Sequence, residues 1–136
     1  MVEKIDHVCI LVRDIEKAME LYEAAFDLKP FPVETRQELG IKMCLIPIGE
    51  AMIEFLQPLE SNTKLMQLLK AEGGGLHHIA FRVKNVEKAM SIVQSRGFKL
   101  RDKEPKSGAA GSRVAFLETD DVARTSIELV ERQDPE

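Results

Sequence analysis

Two histidines and two glutamates recur at matching places along this chain. Residues 7–19, HVCILVRDIEKAM, return as HIAFRVKNVEKAM at 78–90 with six of thirteen positions identical, and IEFL at 53–56 is echoed by IELV at 127–130. Each half therefore opens a strand on a histidine, His7 or His78, and closes one on a glutamate, Glu54 or Glu128. A duplicated His plus Glu pair is the pattern of a four-ligand metal site built by repeating one module. The repeat also chooses between neighbours: His78, not His77, aligns with His7, and adjacent strand residues face opposite ways.

Two imidazoles and two carboxylates form a donor set of intermediate hardness. Four such ligands on an octahedral ion leave two positions at which a substrate can chelate through two oxygens. Suitable ions are Co2+, placed first, and Mn2+, Ni2+, Zn2+ or Fe2+. A closed structural zinc site is disfavoured because no thiolate takes part. Cys9 and Cys44 both sit in apolar, strand-like runs and read as core packing.

The elements that position these residues follow from hydrophobic spacing. Ile5 to Val12 reads as a buried strand, with Asp14 as the N-cap of a helix whose Ile15, Ala18, Met19, Tyr22 and Phe26 share one face. Pro30 and Pro32 are expected to end that helix, and strands at Ile41–Ile48 and Met52–Leu56 follow, joined at Gly49-Glu50. Leu65, Leu68 and Leu69 suggest a short connecting helix closed by Gly73, Gly74 and Gly75, glycines that read equally as a C-cap with a loop or as a phosphate cradle. The pattern then restarts: a strand to Val83, Asn85 as N-cap, a helix burying Val86, Ala89, Met90 and Val93, a stop at Gly97, and extended segments at 98–103, 113–118 and 126–131. Both halves thus read βαβββ within one domain spanning 1–136, as module one at 5–57, connector at 58–75 and module two at 76–131.

Composition bounds the function classes. At 136 residues and 44% hydrophobic content the chain can bury one core. The net charge of −4 is spread along the chain, which disfavours nucleic acid. No apolar run reaches the roughly 20 residues of a membrane helix, and the acidic N-terminus lacks a signal or transit pattern, so a cytoplasmic location is expected.

The duplicated module with His on its first strand and Glu on its last resembles the vicinal oxygen chelate superfamily, which includes the glyoxalases. Within it, GGGLHHIAFRV at 73–83, the EP-x-x-G-x-x-G-x-R-V-A-F-L stretch at 104–117 and IELVE at 127–131 resemble methylmalonyl-CoA epimerases. The resemblance implies an α+β, glyoxalase-like fold in which two βαβββ modules form a metal-binding cup. It places His7, Glu54, His78 and Glu128 as the metal ligands and implies an acyl-CoA substrate and a homodimer. The implied reaction is epimerisation of methylmalonyl-CoA by removal and return of the C2 proton through a metal-stabilised enolate. Glu128 is then the candidate base, with Glu54 or a water on the ion as its partner.

Two places depart from that family. Several members carry a second glutamate three positions after the glycine of the third strand; counted from Gly40, that position is Met43, which cannot transfer a proton. Before the last strand, the usual His-Pro turn and glycines are replaced by Glu118, Thr119, Asp120 and Asp121, then Ala123, Arg124, Thr125 and Ser126.

The 105–113 loop, PKSGAAGSR, offers the amides of Gly108 and Gly111, the Ser107 hydroxyl, and Lys106 with Arg113. This suits a substrate phosphate or carboxylate, and equally a plain hairpin connection. Two other readings stand beside the epimerase: a glyoxalase I-type lactoylglutathione lyase, and a non-catalytic small-molecule-binding protein of the bleomycin-resistance type.

Overall fold

The computed structural model describes residues 1–119 and 125–133. The elements run β1 (Val2–Leu11), α1 (Ile15–Phe26), β2 (Glu34–Arg36), β3 (Ile41–Ile48), β4 (Ala51–Pro58), α2 (Thr63–Glu72), β5 (Gly75–Val83), α3 (Val86–Ser95), β6 (Lys106–Ser107), β7 (Arg113–Phe116) and β8 (Ser126–Glu131). In chain order this is βαβββ, a connecting helix, and βαβββ again. The chain divides into two units, Val8–His77, and Met1–His7 together with the chain from His78 onward.

In the 8–77 unit the strand order is β2-β3-β4-β1, with β3 antiparallel to both β2 and β4. Helix α1 starts where the Asp14 carboxylate accepts the Lys17 amide at 3.2 Å, which satisfies one of the unpaired donors of the first turn. Ile15 is buried with Cys44, Ile46 and Phe55, and Ala18, Met19 and Tyr22 pack around them. Because side chains alternate along a strand, Met43, Leu45, Glu54 and Leu56 lie on the face turned away from α1.

Two details differ from the sequence reading. The helix ends before the prolines, as Asp27 adopts a left-handed conformation (φ 56°) and its amide closes on the Glu23 carbonyl. Phe26, at the last helical position, stays 64% exposed and meets Tyr22 edge to face at 5.9 Å instead of entering the core. In the connector, Asn62 caps α2 and Gly73 ends it, while a side chain at Gly74 would stand 2.8 Å from the Leu11 carbonyl oxygen. These glycines close a helix and admit a neighbouring backbone.

In the other unit the order is β1-β5-β8-β7-β6, with β5 parallel and β7 antiparallel to β8. Asn85 caps α3 by accepting the Lys88 amide at 2.9 Å, and Glu131 accepts the Val86 amide at 2.9 Å. Val86, Ala89, Met90 and Val93 pack on Val83, Ala115 and Leu129. Alternation then places Val114, Phe116, Glu128 and Val130 on the opposite face, where Val114 and Val130 cluster with Ala80. The extended segment expected at 98–103 is not a strand: it makes one bridge, Leu100 to Leu117. The cause is Asp102, whose buried carboxylate takes the Phe116 amide at 2.8 Å and so replaces a ladder bond; β6 forms later, at Lys106–Ser107.

Candidate metal centre

His7 and His78, 71 positions apart in sequence, bring their Nε2 atoms to 3.1 Å in the unit that carries both. A Glu128 carboxylate oxygen lies 3.2 Å from the His7 nitrogen and 3.5 Å from that of His78. All three residues are buried, at 3%, 4% and 6% exposure, so these polar atoms converge away from bulk water. The point equidistant from the three lies about 1.9 Å from each, near the ~2.0–2.2 Å at which N and O donors bind a divalent transition ion. The donor types and their spacing fit such an ion.

Local structure explains the convergence. The parallel register sets Ala80 beside Glu128 and His78 beside Ser126, so His78 and Glu128 share a face of adjacent strands. Ala80 is small, which leaves room above it for the carboxylate. Phe116, the antiparallel register partner of Glu128, meets the His78 ring edge to face at 5.2 Å, and the Arg101 guanidinium stands 5.5 Å from the Phe116 ring centre.

The orientation of His7 is fixed from behind. Its Nδ1 donates to the Asp6 carboxylate at 2.6 Å, which leaves the lone pair on Nε2, the atom that faces His78 and Glu128. Asp6 is fully buried and is also held by Arg82 at 2.6 Å and by Arg132 at 2.8 Å. Burial opposes its ionisation, but the hydrogen bonds from His7 and Arg132, the Arg132 charge and the Arg82 bond outweigh it and hold the carboxyl well below the usual carboxylate range.

Of the ligands expected from the repeat, His7, His78 and Glu128 therefore come together. Glu54 belongs to the 8–77 unit, where it is buried at 6% exposure on the face of β4 turned away from α1. Met43 lies on that same face, also buried. His77 is only half-buried. Both cysteines are free and buried; burial, with a contribution from the negative charge of Glu54, pushes the Cys44 thiol up to about 11, which keeps it protonated at neutral pH.

The 105–113 loop is more built than a plain hairpin. Gly108 packs so closely that a side chain there would meet Ser112 Oγ at 2.6 Å and Val114 at 2.7 Å, and Ala110 adopts a left-handed φ of 55°. Lys106 pairs with Asp102 at 2.7 Å while remaining largely exposed, and Ser107 and Gly111 are exposed. Arg113 instead turns to the face covered by α3, pairing with Glu87 at 2.8 Å and Glu131 at 3.5 Å. Asp120, Asp121, Ala123 and Arg124 lie outside the described residues.

The sequence reading missed Asp6, Arg82, Arg132 and Phe116. Asp6 had one signal, its place directly before a candidate ligand. Arg82 had another, as it stands in an apolar strand where the first copy of the repeat has Leu11. Among the described residues no helix is long and apolar enough to cross a membrane.

Comparison with known proteins gives the family and the fold. The profile of the Glyoxalase/Bleomycin resistance protein/Dioxygenase superfamily matches residues 6–116. An ethylmalonyl-CoA/methylmalonyl-CoA epimerase of Cereibacter sphaeroides is 30% identical over 131 residues, which cover 95% of this chain and 98% of that protein. The crystal structure of methylmalonyl-CoA epimerase from Mycobacterium tuberculosis superposes with a TM-score of 0.90 at 28% identity, covering 98% of this chain and 90% of the other. A variant of the Streptomyces coelicolor methylmalonyl-CoA epimerase in complex with 2-nitronate-propionyl-CoA gives a TM-score of 0.91 at 27% identity, covering 98% of this chain and 100% of the other. The chain thus has the α+β, glyoxalase-like fold, belongs to the glyoxalase/bleomycin resistance/dioxygenase superfamily, and within it is similar to the methylmalonyl-CoA epimerases.

Proposed function

We propose that this chain is a metal-dependent epimerase that inverts C2 of methylmalonyl-CoA or a close alkylmalonyl-CoA. The observation that carries the reading is the convergence of His7, His78 and Glu128 on one point at bonding distance for a divalent ion. Glu54, the counterpart of Glu128 in the repeat, completes the ligand set. Co2+ heads the candidate ions, followed by Mn2+, Ni2+, Zn2+ and Fe2+. A divalent ion bound there stabilises the negative charge that reaches the thioester oxygen as the C2 proton leaves, more than it stabilises the ground-state carbonyl.

The chain's own groups do the rest. The Glu128 carboxylate removes the C2 proton, and its buried position keeps bulk water from competing for the enolate. Glu54 is the candidate for returning a proton on the other face. Asp6 keeps the His7 lone pair on Nε2, and Phe116 braces the His78 ring. Lys106, Ser107 and the Gly111 amide hold anionic parts of the acyl-CoA; the Gly108 amide is taken by the Ser112 carbonyl at 2.9 Å, so Gly108 shapes the turn, and Arg113 anchors the end of that loop to α3 through Glu87. In this reading the protein acts as a cytoplasmic homodimer.

The test is turnover of methylmalonyl-CoA by protein loaded with each ion, beside the hemithioacetal of glutathione and methylglyoxal. Epimerisation without lyase activity is expected; lyase activity alone would replace this reading with the glyoxalase one.

A further inference from the structure

Arg132 lies just beyond β8 and is engaged on two sides. Its Nε and Nη2 donate to the Asp6 carboxylate, Nη2 at 2.8 Å, while Nη1 donates to the Ala109 carbonyl at 3.2 Å. Asp6 in turn accepts from His7 Nδ1 at 2.6 Å. One planar guanidinium therefore joins two things that the sequence keeps apart: the carboxylate behind a metal-binding histidine and the turn at the centre of the 105–113 loop.

The turn needs such a tether. Ala110 holds a left-handed backbone that costs a non-glycine residue free energy and persists only when its surroundings impose it. Ala109, its neighbour, is buried, and its carbonyl oxygen receives both the Arg132 bond and the Ser112 hydroxyl at 2.8 Å. Arg132 also differs from Arg82, the other cation on Asp6. Arg82 donates to the Asp6 carboxylate at 2.6 Å from within β5, and so holds the carboxylate. Only a fork of donors spaced like guanidinium satisfies a carboxylate and a carbonyl together; an ammonium is a point charge that serves one of them well.

We propose that Arg132 is a positioning residue with two separable effects: through Asp6 it sets the His7 nitrogen for the metal, and through Ala109 it seats the loop that receives the acyl-CoA. The second effect rests on the epimerase reading above; the first does not.

The experiment uses the full chain in three forms, wild type, Arg132→Ala and Arg132→Lys. Co2+ affinity of the stripped proteins is measured by calorimetry, and KM and kcat for methylmalonyl-CoA are measured at saturating Co2+. Arg132→Ala should lose roughly 10- to 100-fold in Co2+ affinity, the usual cost of removing a group that orients a ligand. Its KM should rise, with kcat at saturation changed much less. Arg132→Lys keeps a cation on Asp6, so its Co2+ affinity should stay within a few-fold of wild type while its KM rises as in Arg132→Ala. Addition of guanidinium ion should restore Co2+ affinity to Arg132→Ala. If Arg132→Ala does not fold, Arg132→Lys decides alone: a KM equal to that of wild type overturns the loop effect. Wild-type Co2+ affinity in folded Arg132→Ala overturns the metal effect. Wild-type protein that binds Co2+ but does not turn over methylmalonyl-CoA would remove the epimerase reading and leave the affinity comparison standing.

Discussion

The ring of Phe116 meets the His78 imidazole nearly at a right angle, 87°, with the ring centres 5.2 Å apart. The contact sets an apolar ring edge against one of the three converging side chains, so His78 cannot rotate without losing it. Phe116→Leu keeps much of the volume and removes the ring edge. We expect a stability loss below about 1.5 kcal/mol, since a large apolar side chain remains. Co2+ affinity should nonetheless fall several-fold, measured by calorimetry on the stripped protein.

On the proposed reading Glu128 carries two duties, metal ligand and base. Glu128→Gln keeps the shape but cannot accept the C2 proton and is a weaker ligand. Epimerisation should fall roughly 100- to 10,000-fold even where excess metal restores occupancy. Full activity of the metal-loaded variant would assign the base elsewhere.

The helix caps repeat as the ligands do, Asp14 on α1 and Asn85 on α3, each accepting an amide three residues on. Replacing either by Ala should cost about 1 kcal/mol in chemical denaturation. Neither change should move Co2+ affinity, because each cap side chain holds an amide in the first turn of its own helix. Unequal losses would show that one half of the repeat bears more of the stability.

Cys44 gives a pH signature. Its thiol ionises near 9.0 when unfolded and is pushed up to about 11 in the fold by burial, with Glu54 adding to the shift. A raised folded-state value means that the buried thiol's contribution is complete below pH 9 and is lost as pH climbs from 9 towards 11. The loss amounts to up to about 3 kcal/mol. Denaturation midpoints should therefore fall across that window, and Cys44→Ala should flatten this part of the fall. The folded thiol should also react slowly with iodoacetamide at pH 8.

Much of this was legible in the sequence because the repeat and the side-chain periods point the same way. His78 was separable from His77 by alignment and alternation, and Asp14 and Asn85 by position before an amphipathic run. Strand β3 matches its expected bounds because the apolar run Met43 to Ile46, flanked by Ile41 and Ile48, leads into the Gly49 turn. The 98–103 segment misled because its pattern is strand-like, whereas the decisive bond comes from the Asp102 side chain, which takes the Phe116 amide fourteen residues on. The Asp6 cluster was out of reach for a related reason: Arg82 and Arg132 lie 76 and 126 positions away, and no local period links them. Arg113 looked like an anion-binding residue from its loop, but it sits on the α3 face, where Glu87 and Glu131 already hold it.

The central claim, proton removal from C2 at a metal held by His7 and His78, is tested most directly in heavy water. Methylmalonyl-CoA is incubated with Co2+-loaded protein, and deuterium at C2 is followed by NMR or mass spectrometry, with His7→Ala and His78→Ala alongside. Rapid deuterium entry with the wild type, and its collapse together with Co2+ binding in both variants, is the predicted result. No exchange with metal-loaded wild type, or exchange that persists in variants that no longer bind Co2+, would contradict the account.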